Sequence, residues 1–179
     1  MNENFIWGAC GMQGWRSGME DAHICQSVMI PSSPGEYKAM LFGVFDGHGG
    51  QEVAEYSREN FRKKFMKQKA FKDGNFKQAL SDAFMSLDKD LANEEFAQDC
   101  GATACVTFVT KDKIFCANAG DSRAVLSRSR RAVALSEDHK PNNREEYQRI
   151  QKAGHTVSME RVDGELALSR AFGDYGYKD

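Results

Sequence analysis

Ala39-Met-Leu-Phe-Gly-Val-Phe45, followed by Asp46-Gly47-His48-Gly49-Gly50, is the stretch that decides how this chain folds. A run without a polar side chain reads as a buried strand, and the glycine-rich break after Phe45 stops it. The polar groups of Asp46 and His48 therefore stand at a strand end. Downstream, Val53, Ala54, Phe61 and Phe65 recur with Arg62, Lys63, Lys64 and Lys67 between them, the pattern of an amphipathic helix. A second helix is expected over 75–93, where Phe76, Leu80, Ala83, Phe84, Leu87 and Leu91 keep one apolar face. After Gly101 the period changes. Residues 105–109 and 114–117 read as two strands joined by a tight polar turn, with further strands over 122–127 and 132–135. Asn142 or Asn143 then caps a short helix carrying Tyr147 and Ile150 and closed by Gly154. Helices in one block and consecutive strands in the next point to an α+β fold of antiparallel sheets with helices on the outer faces.

At 179 residues with 41% hydrophobic content, the chain buries enough surface for one domain, or most of one larger domain. Its 24 basic and 26 acidic residues give a net charge of −2 and are spread without a basic stripe, which argues against a nucleic-acid partner. The five cysteines (Cys10, Cys25, Cys100, Cys105 and Cys116) lack a Cys-x-x-Cys spacing and sit mostly in apolar segments, as free thiols of a reducing compartment would. Residues 1–10 do not form a signal sequence, and no run reaches membrane-spanning length. A soluble cytoplasmic protein is expected, with the nucleus as a further compartment and no membrane partner.

Three clusters carry potential chemistry. The small residues after Asp46 let a ligand approach the backbone, and carboxylate and carbonyl oxygens are the donors that magnesium and manganese favour, with His48 a proton donor beside them. Taken alone, the same residues are an ordinary Asp-Gly turn. In Arg16-Ser-Gly-Met-Glu20-Asp21-Ala-His23, extended backbone would send Glu20 and Asp21 to opposite faces, one toward a metal and one toward a water, while the guanidinium of Arg16 could grip two phosphate oxygens. An arginine beside acids is equally a surface ion pair. Asn118-Ala-Gly-Asp121-Ser again places an aspartate after a buried strand, and is also a good hairpin turn. The Gly-Lys-Ser/Thr ending of a P-loop is missing, and His23, His139 and His155 have no ligand-like spacing.

In order along the chain, Gly14-Trp-Arg16-Ser-Gly-Met-Glu20-Asp21-Ala-His23, Phe42-Gly-Val-Phe-Asp46-Gly-His-Gly-Gly50, Gly101-Ala-Thr-Ala104, Ala119-Gly-Asp-Ser-Arg-Ala-Val125 and Arg161-Val-Asp-Gly-Glu-Leu-Ala-Leu-Ser-Arg170-Ala-Phe-Gly-Asp174 resemble the metal-dependent type 2C protein serine/threonine phosphatases. The resemblance implies a four-layer αββα sandwich of two mainly antiparallel sheets flanked by helices, with a two-metal site of Mn2+ or Mg2+ at one end. It implies that Asp46 bridges the metals, that the Gly47 carbonyl and Glu20 complete one of them, and that Asp21 orients a water. It further implies that Arg16 binds phosphate, His48 protonates the leaving oxygen, Asp121 serves an accessory third metal, and residues 154–174 form a variable flap that influences the choice of phosphorylated protein substrate.

Members of that family continue into two more metal-binding aspartates, in Asp-Gly and Asp-Asn elements, whereas this sequence ends at Tyr175-Gly-Tyr-Lys-Asp179. Residues 1–179 thus read as a single partial domain, incomplete at the carboxyl end, with metal binding weak or incomplete and a homodimer expected through exposed sheet edges. The alternative reading is a truncated pseudophosphatase that binds a phosphoprotein or a partner without turnover.

Overall fold

The computed structural model describes residues 5–32 and 35–178; the first four residues of the amino-terminal segment read above, and Asp179, lie outside them. Two long strands, β1 (Ala22–Pro31) and β2 (Glu36–Phe45), form a full-length antiparallel hairpin in which Ala22 opposes Phe45 and Pro31 opposes Glu36. The strand is followed by the two-residue β3 (Gly47–His48), then by α1 (Glu52–Lys67), the single turn α2 (Lys69–Lys72) and α3 (Phe76–Leu91). The Asn75 side chain caps α3 by accepting from the Gln78 amide at 3.2 Å. Next come β4 (Gly101–Ala102), β5 (Ala104–Val109) and β6 (Ile114–Ala119), the last two forming the expected hairpin.

β1, β2, β5 and β6 make one antiparallel sheet in that order. Side chains alternate across a strand, so Ile24, Val28, Leu41, Phe45, Val106 and Phe108 share one face, and all are buried. Helices α1 and α3 cover that face with Val53, Phe61, Phe65, Leu80, Ala83 and Leu87. Aromatic rings lock the layers together: Phe45 meets Phe61 with centroids 6.1 Å apart, and Phe108 meets Phe65 at 5.0 Å and Phe76 at 5.1 Å. The opposite face is apolar too. Trp7 packs edge-on against Phe42 there, while Met29, Val44 and Ile114 remain exposed.

The remaining strands are short. β7 (Val125–Arg128) and β8 (Arg131–Ala134) form a separate hairpin whose turn residues Ser129 and Arg130 both adopt positive φ, the backbone that a two-residue hairpin loop needs to match strand twist. The strand expected over 122–127 begins only at Val125, because the residues before it are committed elsewhere: Arg123 holds Asp138 through two hydrogen bonds, and the Ala124 amide donates to Ser136. Helix α4 (Arg144–Lys152) follows Asn143, whose side chain donates to the Asp138 carbonyl at 2.8 Å rather than capping the helix. It buries Ile150, leaves Tyr147 exposed and ends before Gly154, which has positive φ. The pair β9 (Val157–Ser158) and β10 (Arg161–Val162) follows, and then β11 (Phe172–Gly173), which joins β4 and β3 in a three-stranded sheet. The α+β class with antiparallel sheets and flanking helices is thus what the sequence patterns lead one to expect. All five cysteines are free: Cys100 and Cys105 are buried, Cys25 and Cys116 half-buried, and Cys10 exposed.

Phe108 is fully enclosed by this aromatic layer. Replacing it with alanine removes the ring from both helices at once and should lower stability by about 3–5 kcal/mol, read as a shift of the urea unfolding midpoint with an unchanged slope.

Candidate active site

Asp46 is the first residue past β2, and its position is set by the backbone around it. Its amide donates to the Thr103 hydroxyl at 3.2 Å, and the Thr103 amide donates back to the Asp46 carbonyl at 2.9 Å. The same hydroxyl lies 2.7 Å from that of Ser122. Thr103 is buried and sits between β4 and β5, so one side chain ties together the loops after β2 and β6. Two glycines let the loops close. A Cβ at Gly120 would strike the Thr103 side chain, and one at Gly47 would strike the Glu20 carbonyl, so the Glu20–Asp21 segment lies directly on the β3 backbone.

This closure gathers carboxylates. Although the Asp46 side chain is open to solvent, its surroundings strip part of its hydration, and the charge and hydrogen bond of Asp21 and the charge of Asp121 act in the same sense. Together they push the Asp46 carboxyl above the usual range, while His48 pulls it the other way. The structure therefore brings Asp21, Asp46 and Asp121 into one electrostatic group, with Glu20 near enough to act on His48. Asp121 is also ion-paired to Lys140, a partner that the sequence reading did not foresee. Arg16 is exposed on the loop ahead of β1 and is not among the charges acting on Asp46. Among the described residues, no three or more His, Cys, Asp or Glu side chains stand together in metal-holding geometry. The oxygens gathered here are hard donors, and they do not form a finished cage.

His48, in β3, is half-buried, and its Nε2 lies 2.8 and 2.9 Å from the two carboxylate oxygens of Asp174. Burial alone would lower the His48 pKa, but the hydrogen bond and charge of Asp174, with Asp46 and Glu20, more than offset it and carry it upward. Asp174 closes the last of the sequence motifs, and nothing local pairs two positions 126 apart. Of the other histidines, His23 is exposed, His139 accepts from the Gly120 amide beside Asp121, and His155 pairs with Asp163.

A family model described as Protein phosphatase 2C matches residues 7–179. The chain belongs to that family. A probable protein phosphatase 2C of Caenorhabditis elegans is 45% identical over 180 residues, covering 99% of this chain and 49% of that protein. Protein phosphatase 2C homolog 2 of Hypocrea jecorina is 44% identical over 184 residues, 99% of this chain and 42% of its own length. The chain thus spans about half the length of these relatives. Among solved structures, a phosphatase from a pathogenic strain of Toxoplasma gondii superimposes with a TM-score of 0.68 at 28% identity, over 90% of this chain and 62% of that one.

Within this phosphatase 2C chain, one further carboxylate holds the architecture rather than the site. Glu146 of α4 is buried and receives Arg170 through both Nε and Nη2, Arg149 at 2.8 Å and the Ser169 hydroxyl at 2.7 Å. Burial would raise its pKa, but these donors hold it down at about 2. A carboxylate whose folded pKa is depressed stabilises the fold fully above its unfolded value and loses that contribution as pH falls through the folded one. Glu146→Gln should therefore cost about 2–3 kcal/mol at neutral pH, the half-exposed arginines being partly screened by water. Chemical denaturation at stepped pH should show wild type losing more stability than the variant between its ordinary value of 4.5 and about 2.

Proposed function

We propose that the protein is a metal-dependent protein serine/threonine phosphatase that hydrolyses phosphoserine and phosphothreonine in protein substrates. The observation that carries this reading is the convergence of Asp46 and Asp121 on loops tied by Thr103 with Asp21 on the segment that lies against Gly47, and with His48 beside them. Asp46, Glu20 and the Gly47 carbonyl would hold divalent cations, Mn2+ or Mg2+, with Asp121 serving an accessory one. Lost hydration and then the neighbouring acids push the Asp46 carboxyl up, and positive charge there offsets both. When bound, such cations make water acidic enough to attack at neutral pH. Asp21 orients the attacking water by hydrogen bonding. Arg16, exposed ahead of β1, takes two phosphoryl oxygens in its planar fork, and His48 returns a proton to the departing oxygen. Residues 1–179 belong in this reading to one catalytic domain working in the cytoplasm. Among the described residues no helix is long and apolar enough to cross a membrane, and the free thiols fit a reducing compartment.

Phosphate release from a phosphothreonine peptide by the full-length protein tests this. Activity should require Mn2+ or Mg2+ and vanish with a chelator, and Asp46→Asn should lower kcat by about 100-fold or more. Wild-type protein that binds the peptide but releases no phosphate with either metal would overturn the reading in favour of a binding module.

A further inference from the structure

We infer that Asp174 is the positioning residue for His48: it captures Nε2–H and leaves Nδ1 as the ring nitrogen that meets the leaving oxygen. The inference rests on the phosphatase reading for its chemistry and on the small sheet for its geometry. In that sheet Gly101 of β4 is the middle residue of a row, with His48 of β3 opposite it on one side and Gly173 of β11 on the other. The imidazole and the carboxylate meet across this row. Gly101 leaves room for them, since a Cβ there would collide with both oxygens and the carboxyl carbon of Asp174.

Asp174 is held in a form a surface acid would not need. It is buried, only 5% exposed, and its backbone lies in the left-handed region at φ 52°, a conformation that costs a side-chain-bearing residue roughly 1 kcal/mol. Two backbone bonds pin it there: its amide donates to the Cys100 carbonyl at 3.1 Å, and the Tyr177 amide donates to its carbonyl at 2.9 Å. Among the described residues, the side-chain hydrogen-bond partner of this carboxylate is His48. Left alone, an imidazole rotates about a broad, two-fold terminal torsion and exchanges tautomers. A carboxylate on one nitrogen removes both freedoms, as it does for histidines that must present the other nitrogen to a metal or substrate.

In the reaction, water supplies the new oxygen–phosphorus bond, its protons leaving with the phosphate product, while the bond from phosphorus to the threonine oxygen breaks. The proton on Nδ1 passes to that oxygen. The ring is left neutral with Nε2–H still on Asp174.

The test compares two leaving groups in the full-length protein. A threonine alkoxide needs the proton; the nitrophenolate of p-nitrophenyl phosphate hardly does. Asp174→Asn keeps the left-handed backbone, which asparagine tolerates, so it should fold with a near-native thermal midpoint. Its kcat on a phosphothreonine peptide should fall about 10- to 100-fold, with KM and the turnover of p-nitrophenyl phosphate within about threefold of wild type. In a His48→Gln background the same change should cost nothing further. Equal losses on both substrates, or none on either, would overturn the inference. A long-range 1H–15N spectrum of the wild-type histidines gives a second decision independent of turnover: His48 should be the Nε2–H tautomer when neutral, and an Nδ1–H tautomer sinks the proposal. Should wild type lack activity on both substrates, the phosphatase reading falls, and the tautomer still decides whether Asp174 sets the ring.

Discussion

β2 is paired along its length on one side by β1 and over Met40–Val44 on the other by β5, and nearly everything else follows from where it stops. Of its residues, Ala39, Leu41 and Phe45 are claimed by the helical layer on one face of the sheet. Its backbone is claimed by the two flanking strands. At Phe45 the ladder to β1 ends, and the next amide and carbonyl, those of Asp46, are taken by Thr103. The strand end is therefore a fixed point, and the loops that bear Asp21 and Asp121 are measured from it. A carboxylate on a free loop would turn away from its like-charged neighbours; here closure at Gly47 and Gly120 denies that escape.

Three acids of this molecule, Glu146, Asp174 and Asp46, occupy distinct environments, and the contrast separates scaffold from site. Glu146 is surrounded by donors and is content as an anion. Asp174 faces one imidazole. Asp46 meets other acids, so its charge is opposed by its own surroundings. Stability alone would not select that last arrangement, since like charges at short range are destabilising. Local rules are broken in folded proteins chiefly where function requires it, and the electrostatics alone therefore draw the eye to the end of β2.

Much of the fold was legible in the sequence because its signals are local. The helix face of Phe76, Leu80, Ala83, Leu87 and Leu91, the strand–glycine break at Phe45–Asp46 and the hairpin around residues 110–113 each lie within a short window. β1 was missed, although Ala22, Ile24, Val28 and Ile30 alternate as buried positions, because Gln26 interrupts the alternation in mid-strand. β7 starts late because Arg123 and Ala124 find partners beyond the strand they precede. Asp21, Asp46 and Asp121 could be singled out by residue type and by their strand-end positions. Lys140 and Asp174 could not, because their importance lies in contacts made by distant parts of the chain, which periodicity does not report.

Gly101 carries a consequence for variation. Chemistry is usually sought in side chains, and a substitution survey of this site would be read by the losses at its acids and its histidine. Yet an acid can be exchanged for its amide with the shape preserved, whereas at Gly101, Gly47 and Gly120 every replacement adds matter to a space already filled by a carboxylate, a carbonyl or a methyl group. The positions least open to drift in this domain are thus those where the polypeptide contributes no side chain at all. Insertions of mass there would register as loss of shape before any loss of reactive groups.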